Sequence, residues 1–263
     1  MERRSVGAVE VIALIDTVQS YPASAVYPNA GSSLSRFGGY MDADGAVALN
    51  FAAFLLVDGD QCVLVDTGWG PEFQGKLPEE LRAAGVHPAE ITQVTFTHLH
   101  GDHTGWNIDR DSGMPLFPNA RYLVPKKDWD HYALQAPIPD SFTRDIAALP
   151  PSQVTLIDGE TRLTSSLTTL QTPGHTPGHT SVVISSNGER GFILGDVVLT
   201  PIDAEMPSLD CSFDWDNELA RITREAIMAR LASDRSLVAA SHLPVPGFGH
   251  FVSSRGQMRW APA

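Results

Sequence analysis

Short apolar runs rich in β-branched residues recur along the chain and are separated by turn residues. Residues 47–57 and 61–65 flank Asp58-Gly59-Asp60, which predicts a β-hairpin with an Asp-Gly turn. The same pattern around Asn187-Gly188 predicts a second hairpin, with strands at 181–184 and 191–194. Further strands are predicted over residues 6–15, 91–97, 119–124, 154–157 and 167–170.

Helical patterns are interleaved with these strands. The predicted helices cover residues 76–84, 126–134 and 216–231. Asp214 and Asp216 are both candidates for the N-cap of the last helix. Residues 21–46 are rich in Pro, Gly and Ser and predict a long irregular segment, which either flanks a substrate or is poorly ordered. This mixture predicts an α/β protein.

Composition narrows the function classes. The formal net charge is −13, from 18 Lys and Arg against 31 Asp and Glu, and an acidic surface repels a phosphate backbone. We therefore expect a small-molecule substrate and no nucleic acid partner. No window has the length of a membrane span and no signal peptide is evident, so we expect a cytoplasmic protein that does not bind membranes. The two cysteines give no disulfide framework.

Chemistry-bearing residues are concentrated directly after the predicted strand 91–97. Three imidazoles and one carboxylate fall within six positions, as His98, His100, Asp102 and His103. The two histidines at 98 and 100 can reach one side of a loop, whereas the adjacent pair at 102 and 103 must diverge. This spacing favours two neighbouring metal ions over one. Zinc suits such ligands best, with iron and manganese as alternatives. A histidine-rich surface turn would not explain this density.

Four residues are too few to hold two divalent ions, and the chain supplies three more candidates. His175 lies in the sequence TPGHTPGH at 172–179. Asp196 follows the apolar run that ends at Gly195, and His242 follows another apolar run. Each candidate lies where a predicted strand gives way to a loop.

These parts, in this order, resemble the metallo-β-lactamase-fold hydrolase superfamily, over residues 61–242. The resemblance implies an αββα sandwich, in which two mixed β-sheets lie between helices, with the site in a cleft at one edge. It favours one domain over residues 1–263. It also implies that one metal ion is held by His98, His100 and His175, the other by Asp102, His103 and His242, and that Asp196 bridges them.

For several neighbouring residues the sequence suggests supporting, packing or substrate-contacting roles. Asp66 resembles a family aspartate that supports a ligand histidine, and it is equally suited to a turn. His179 is expected to support the site rather than bind metal. Trp106 is expected to pack in the core rather than line the cleft, and Phe248 is a candidate substrate contact.

A two-metal site of this kind predicts a hydrolase. Two close cations lower the pKa of a bridging water towards neutrality, so a bridging hydroxide can attack a lactone, an ester-like carbonyl or a phosphorus centre. Asp102 is the candidate catalytic residue that accepts a proton or passes it to the leaving group. We find no nucleophile elbow that would suggest a serine mechanism.

Departures from known branches select among the hydrolases. β-Lactamases of this fold carry Cys or Ser where this chain has Asp196, and glyoxalase II carries Gly-Gly where this chain has Gly105-Trp106. The lactonase and organophosphate-hydrolase branch is similar in its doubled Pro-Gly-His and in the His-x-Pro-x-Pro-Gly at 242–247. Many quorum-quenching lactonases have a tyrosine at the position of Leu199, so acyl-homoserine lactones are not favoured over other lactones or aryl esters.

Two alternatives stay open. A metal-dependent thioesterase or polyketide-type cyclase would use the same ligands and differ only in its pocket. An iron-dependent oxidoreductase of the same fold would differ in its metal. The aromatic residues within 21–46 are candidates for a homodimer contact.

Overall fold

Two mixed β-sheets form the centre of the structure, a computed structural model that describes residues 1–254 and 256–263. In chain order the first sheet contains β1 (Glu2–Val6), β2 (Val9–Pro22), β3 (Ala46–Asp58), β4 (Gln61–Val65), β5 (Gln93–Thr95), β6 (Arg121–Pro125) and β7 (Val154–Ile157). The second sheet, in spatial order, contains β13 (Gln257–Pro262), β12 (Phe248–Ser254), β11 (Leu237–Ala239), β10 (Glu189–Ile193), β9 (Thr180–Ser186) and β8 (Leu167–Gln171). Both predicted hairpins are present, as β3–β4 and β9–β10.

Helices lie in the connections between the strands. They are α1 (Ala23–Val26), α2 (Leu77–Ala84), α3 (Gly101–Thr104), α4 (Lys126–Ala133), α5 (Pro201–Glu205) and α6 (Asn217–Asp234). The three predicted helices correspond to α2, α4 and α6, with ends that differ by at most three residues. Asp216 is the N-cap of α6, where its side chain accepts a hydrogen bond from the backbone N–H of Leu219 at 3.0 Å.

The apolar side chains form layers that define the fold. One buried cluster lies between α2, α4 and the first sheet and contains Leu81, Tyr122 and Tyr132. A second cluster fills the space between the two sheets, and a third packs α6 against the second sheet. Each sheet thus buries both of its faces, one against the other sheet and one against helices. The predicted αββα sandwich is confirmed.

Parallel strand pairs bring the candidate residues to one edge of this sandwich. β4 pairs with β5 in parallel, and β10 pairs with β11 in parallel. Asp66, His98, Asp196 and His242 come shortly after the carboxyl ends of these four strands. Parallel neighbours end at the same side of a sheet, so residues far apart in sequence meet there.

The segment 21–46 is more regular than its composition predicts. It begins at the end of β2, contains α1, and continues through a 3₁₀ segment at Gly31–Tyr40. Tyr27 and Phe37 are buried in a cluster with Leu199, and the Tyr27 hydroxyl lies 2.8 Å from the Thr200 hydroxyl. The expectation of an irregular segment was wrong because these few apolar side chains anchor it.

Among the described helices, none is both long enough and apolar enough to cross a membrane. Cys62 and Cys211 both carry free thiols. Cys62 packs at the margin of the first-sheet cluster, as expected of a small apolar residue in a strand.

Replacing Phe54 tests the inter-sheet layer. Its ring is buried in the inter-sheet cluster and lies 5.9 Å from the ring of Phe248. We expect Phe54→Ala to lower the free energy of unfolding by about 3–5 kcal/mol, through lost burial and the cavity left behind. Ile222→Ala, on the exposed face of α6, should change it by less than about 0.5 kcal/mol. Urea denaturation measures both, and equal losses would contradict the layer assignment.

Candidate metal centre

Asp66 shapes the loop that carries four of the candidate residues. Its carboxylate accepts hydrogen bonds from the backbone N–H of Thr97 at 2.7 Å and from the Thr97 hydroxyl at 2.8 Å. The predicted strand 91–97 ends early, at Thr95, because the Thr97 amide turns to this carboxylate. The other partner is Nδ1 of His103, at 2.8 Å from Oδ2. The expected contact between Asp66 and a candidate ligand is therefore present, and it fixes which ring nitrogen of His103 faces the site.

The structure brings His98, His100 and His175 together. Nδ1 of His100 lies 3.0 Å from Nε2 of His98 and 3.0 Å from Nε2 of His175. Suitable nitrogens of the three rings all lie within 4.8 Å of one another. We call this group the 98/100/175 triad.

A second group forms beside it from Asp102, His103 and His242. Oδ2 of Asp102 lies 3.5 Å from Nε2 of His103 and 3.4 Å from Nε2 of His242. The two ring nitrogens lie 3.3 Å apart. The expectation that the adjacent Asp102 and His103 diverge from each other was wrong, since both face this one group, but the group is separate from that of His98 and His100, as predicted. We call this second group the 102/103/242 triad.

Asp196 lies between the two triads. Its carboxylate oxygens lie 3.7, 3.3, 3.4 and 3.1 Å from ring nitrogens of His98, His175, His103 and His242. A single carboxylate therefore contacts histidines of both groups. All seven residues predicted from the sequence meet in one place, with none left outside.

Proton affinities differ between the two triads. Burial lowers the pKa of His98 well below its usual value, and burial together with the neighbouring His175 lowers the pKa of His100 to about 3. These rings are neutral at pH 7. For His242, burial alone would lower the pKa. The carboxylates of Asp196 and Asp102 outweigh burial and raise the pKa of His242 to about 9. A metal ion in the second triad would displace that proton.

The donor set fits divalent metal ions. Five imidazoles and two carboxylates are the nitrogen and oxygen ligands typical of zinc sites. Oδ1 of Asp196 is buried and makes no hydrogen bond within the described part of the chain. The 98/100/175 triad brings three ring nitrogens together. Among the described residues, no single hydrogen-bond donor serves all three. A bound cation satisfies such groupings better than hydrogen bonds do.

Asp128, on α4, ties together two of the loops that carry candidate ligands. Its buried carboxylate accepts hydrogen bonds from the backbone N–H of Leu99 at 3.2 Å and of Gly178 at 2.6 Å. It also accepts one from the Thr176 hydroxyl at 2.8 Å. Leu99 lies between two candidate ligands, and Thr176 directly follows His175, so one carboxylate fixes the spacing of both loops. Sequence reasoning missed this residue.

Asp214 was also missed as a site residue. Rather than capping α6, its Oδ1 lies 2.9 Å from Nδ1 of His175. This contact orients the His175 ring so that Nε2 faces the triad. The sequence contained a weak signal for this role of Asp214. Once Asp216 is assigned as the N-cap of α6, the carboxylate of Asp214, two residues earlier, is left without a function.

The remaining candidates fall outside the triads. Nε2 of His179 accepts a hydrogen bond from the backbone N–H of Asp196 at 2.9 Å, so His179 supports the site as expected. Trp106 packs against the core and donates to Asp16 at 2.8 Å. The suggestion that Phe248 touches substrate was wrong, because Phe248 is fully buried between the sheets.

A cavity of about 440 Å³ opens onto both triads. Its lining contains five of the seven residues, namely His100, Asp102, His175, Asp196 and His242. The other lining residues are mostly apolar or aromatic: Tyr21, Leu49, Phe51, Trp69, Gly101, Leu199, Ser212 and Phe213. Trp69 stacks between Phe51 and Phe73, with ring centroids 4.4 and 3.9 Å away. The candidate metal ligands and the apolar side chains therefore line the same cavity.

Comparison with known proteins places this arrangement in a family. The family model described as the metallo-beta-lactamase superfamily matches residues 51–252, which include all seven residues. The chain belongs to the metallo-beta-lactamase superfamily.

Two curated relatives match parts of the chain. Metallo-beta-lactamase domain-containing protein 1 of Xenopus laevis is 36% identical over 99 residues, which are 38% of this chain and 36% of that protein. An atrochrysone carboxyl ACP thioesterase of Passalora fulva is 27% identical over 163 residues, 61% of this chain and 42% of that protein. Each alignment spans less than half of the relative's length.

Solved structures share the whole fold. AidC, a dizinc quorum-quenching lactonase, superposes with a TM-score of 0.88 at 24% identity, over 100% of this chain and 97% of its own. AbOPH, a hydrolase of the beta-lactamase superfamily, superposes with a TM-score of 0.85 at 26% identity, over 99% and 96%. The likeness to AidC is evidence for the fold alone.

Removing the Asp66 carboxylate tests how the loop is held. Asp66→Ala leaves Nδ1 of His103 without its partner, so we expect about 10–100-fold weaker zinc binding in titrations of metal-stripped protein. Asp60→Ala, in the exposed turn at the other end of β4, is the matched control and should bind zinc like the wild type. Wild-type affinity in Asp66→Ala would contradict the role given to this carboxylate.

Proposed function

We propose that this protein is a dinuclear metal-dependent hydrolase that cleaves a neutral lactone or ester carrying an apolar group. The observation that carries the proposal is the cavity itself, whose apolar wall faces the side chains of both triads. A substrate seated against the wall would present its polar bond to the site.

In this proposal each triad holds one divalent ion, with zinc expected first. The 98/100/175 triad would hold one ion, the 102/103/242 triad would hold the other, and Asp196 would bridge them. The description of AidC as a dizinc lactonase supports this choice of metal and number. When bound, such a pair of ions supplies a nucleophile near neutral pH and polarises the substrate oxygen.

The two carboxylates have different positions and different tasks. The Asp196 side chain is 3% exposed and contacts histidines of both triads, so its negative charge offsets the repulsion between the two cations. The Asp102 side chain is 21% exposed and lines the cavity. We assign Asp102 the transfer of a proton to the leaving group, because it is the more exposed of the two carboxylates that line the cavity.

The lining of the cavity selects for a neutral substrate. No Lys or Arg occurs among the described residues that line it. A free carboxylate or phosphate distant from the reacting bond would therefore find no cationic partner there. Leu199 places an apolar surface at the position where many quorum-quenching lactonases have tyrosine, and Tyr21 contributes a phenol from the end of β2.

A thioester is the second candidate substrate. The alignment with the Passalora fulva thioesterase covers 61% of this chain, more than that of the other curated relative described above. Thioester and lactone carbonyls would occupy the same position at the metal pair, so the two candidates differ only in what the cavity accepts.

The direct test is hydrolysis of a small panel by metal-loaded and chelator-stripped protein. The panel contains an acyl-homoserine lactone, a simple δ-lactone, an aryl ester, an acyl thioester, a phosphotriester and a β-lactam. We expect metal-dependent turnover of lactones or esters at rates far above that of the β-lactam, and recovery of the stripped protein on adding zinc.

Metal analysis of the same samples serves as the control. Absence of turnover for every member, with two equivalents of metal bound, would contradict the proposed hydrolase. Preference for the thioester would favour the second candidate. Activity that requires iron and an electron donor would indicate the oxidoreductase alternative instead.

Phe213 tests the apolar wall. Its ring lines the cavity, is 40% exposed, and meets Tyr21 edge-on at 6.3 Å. We expect Phe213→Ala to raise KM several-fold for a substrate with a long acyl chain and to leave a short-chain substrate nearly unchanged, since about 0.8 kcal/mol is lost per buried methylene. Val252→Ala, an exposed apolar residue outside the cavity lining, is the control. Equal effects on both chain lengths would contradict the acyl-wall assignment.

A further inference from the structure

Arg224 is a buried cation on α6 that the proposed reaction does not use. Its side chain is 1% exposed, although arginine is seldom buried without partners. Its guanidinium donates from Nε to the carbonyl of Val197 at 2.9 Å, from Nη1 to the carbonyl of Pro207 at 3.3 Å, and from Nη2 to Oδ2 of Asp214 at 3.0 Å. Three separate segments therefore converge on one planar group.

Two of these contacts lead directly to the candidate metal centre. Asp214 uses its other oxygen for Nδ1 of His175, at 2.9 Å. Val197 is the residue after Asp196, so its carbonyl belongs to the turn that presents the carboxylate lying between the triads. The guanidinium thus holds both the partner of one candidate ligand and the backbone next to another.

A third connection runs to the substrate cavity. Ser212 and Phe213 line the cavity just before Asp214 in the chain. Just after it, the backbone N–H of Trp215 donates to the carbonyl of His175 at 3.0 Å. Asp214 therefore lies where the cavity wall meets the loop of His175.

We propose that Arg224 is a positioning residue that acts through Asp214 to hold His175 and the Phe213 wall in one fixed relation. Arginine suits this role because its rigid fork meets three acceptors in different directions, which a lysine ammonium on a flexible stem does not reproduce. Ile227, Met228 and Leu231 of the same helix pack against the second sheet in an apolar cluster that does not include Arg224. The proposal rests on the metal-binding part of the proposed function.

The test compares Arg224→Met, Arg224→Lys and Asp214→Asn with the wild type. Calorimetric titration of metal-stripped protein with zinc is the main measurement. We expect one of the two binding events to weaken by about 10–100-fold in Arg224→Met and Asp214→Asn, while the other keeps its affinity. Arg224→Lys should recover little of the loss. The control is Arg221→Met, on the same helix, where the arginine pairs with Glu225 in solvent.

A second readout separates positioning from packing. With metal restored to saturation, the variants should raise KM for the long-chain substrate more than they lower kcat, because the Phe213 wall has shifted. A folded Arg224→Met protein that binds both ions with wild-type affinity and keeps its KM would overturn the proposal. Should Arg224→Met fail to fold, Asp214→Asn and Arg224→Lys decide by the same criteria.

Failure of the proposed function gives a different pattern. A wild type that binds two equivalents of zinc but hydrolyses none of the substrates would contradict the hydrolase assignment. The zinc affinities of the variants would still test the positioning role of Arg224. A folded wild type that binds no zinc, iron or manganese would overturn the metal centre and the role of Arg224 together.

Discussion

Buried aspartates hold in place the edge of the sandwich where the candidate site lies. Each of them accepts hydrogen bonds from separate segments of the chain. Asp66 joins the end of β4 to the loop of His103, and Asp128 joins α4 to the loops of His100 and His175. Asp214 joins His175 to α6. A buried carboxylate is tolerated only when it is paired or hydrogen-bonded. The same requirement that keeps these groups satisfied therefore fixes loops that apolar packing alone would leave free to move.

This arrangement explains how one fold can hold polar chemistry and an apolar cavity together. The two sheets bury their apolar faces against each other and against helices, and the parallel strand pairs end at a common edge. There the donor atoms of the two triads face a cavity whose other wall is aromatic. The low exposure of Asp196 and the histidines strengthens every electrostatic interaction in the site.

Much of the candidate site could be predicted from the sequence, because the spacing of its residues along the chain indicates it. The motif from His98 to His103, and the position of His175, Asp196 and His242 after strands, are visible in the sequence. Asp66 and His179 were expected to support them, but Asp128 and Arg224 were not, because these two lie within ordinary helical patterns. Their partners are 29 to 50 and 10 to 27 positions away. Phe248 was misjudged because only the packed sheets show that this end of β12 is buried between them.

We propose that the two triads form one dinuclear centre joined by Asp196. A crystal structure of zinc-loaded protein, with anomalous diffraction recorded on both sides of the zinc edge, tests this claim most directly. We expect two anomalous peaks, one in each triad, with one oxygen or both oxygens of Asp196 coordinating the pair of ions. A single peak, or two peaks of which either lacks Asp196 as a ligand, would contradict it.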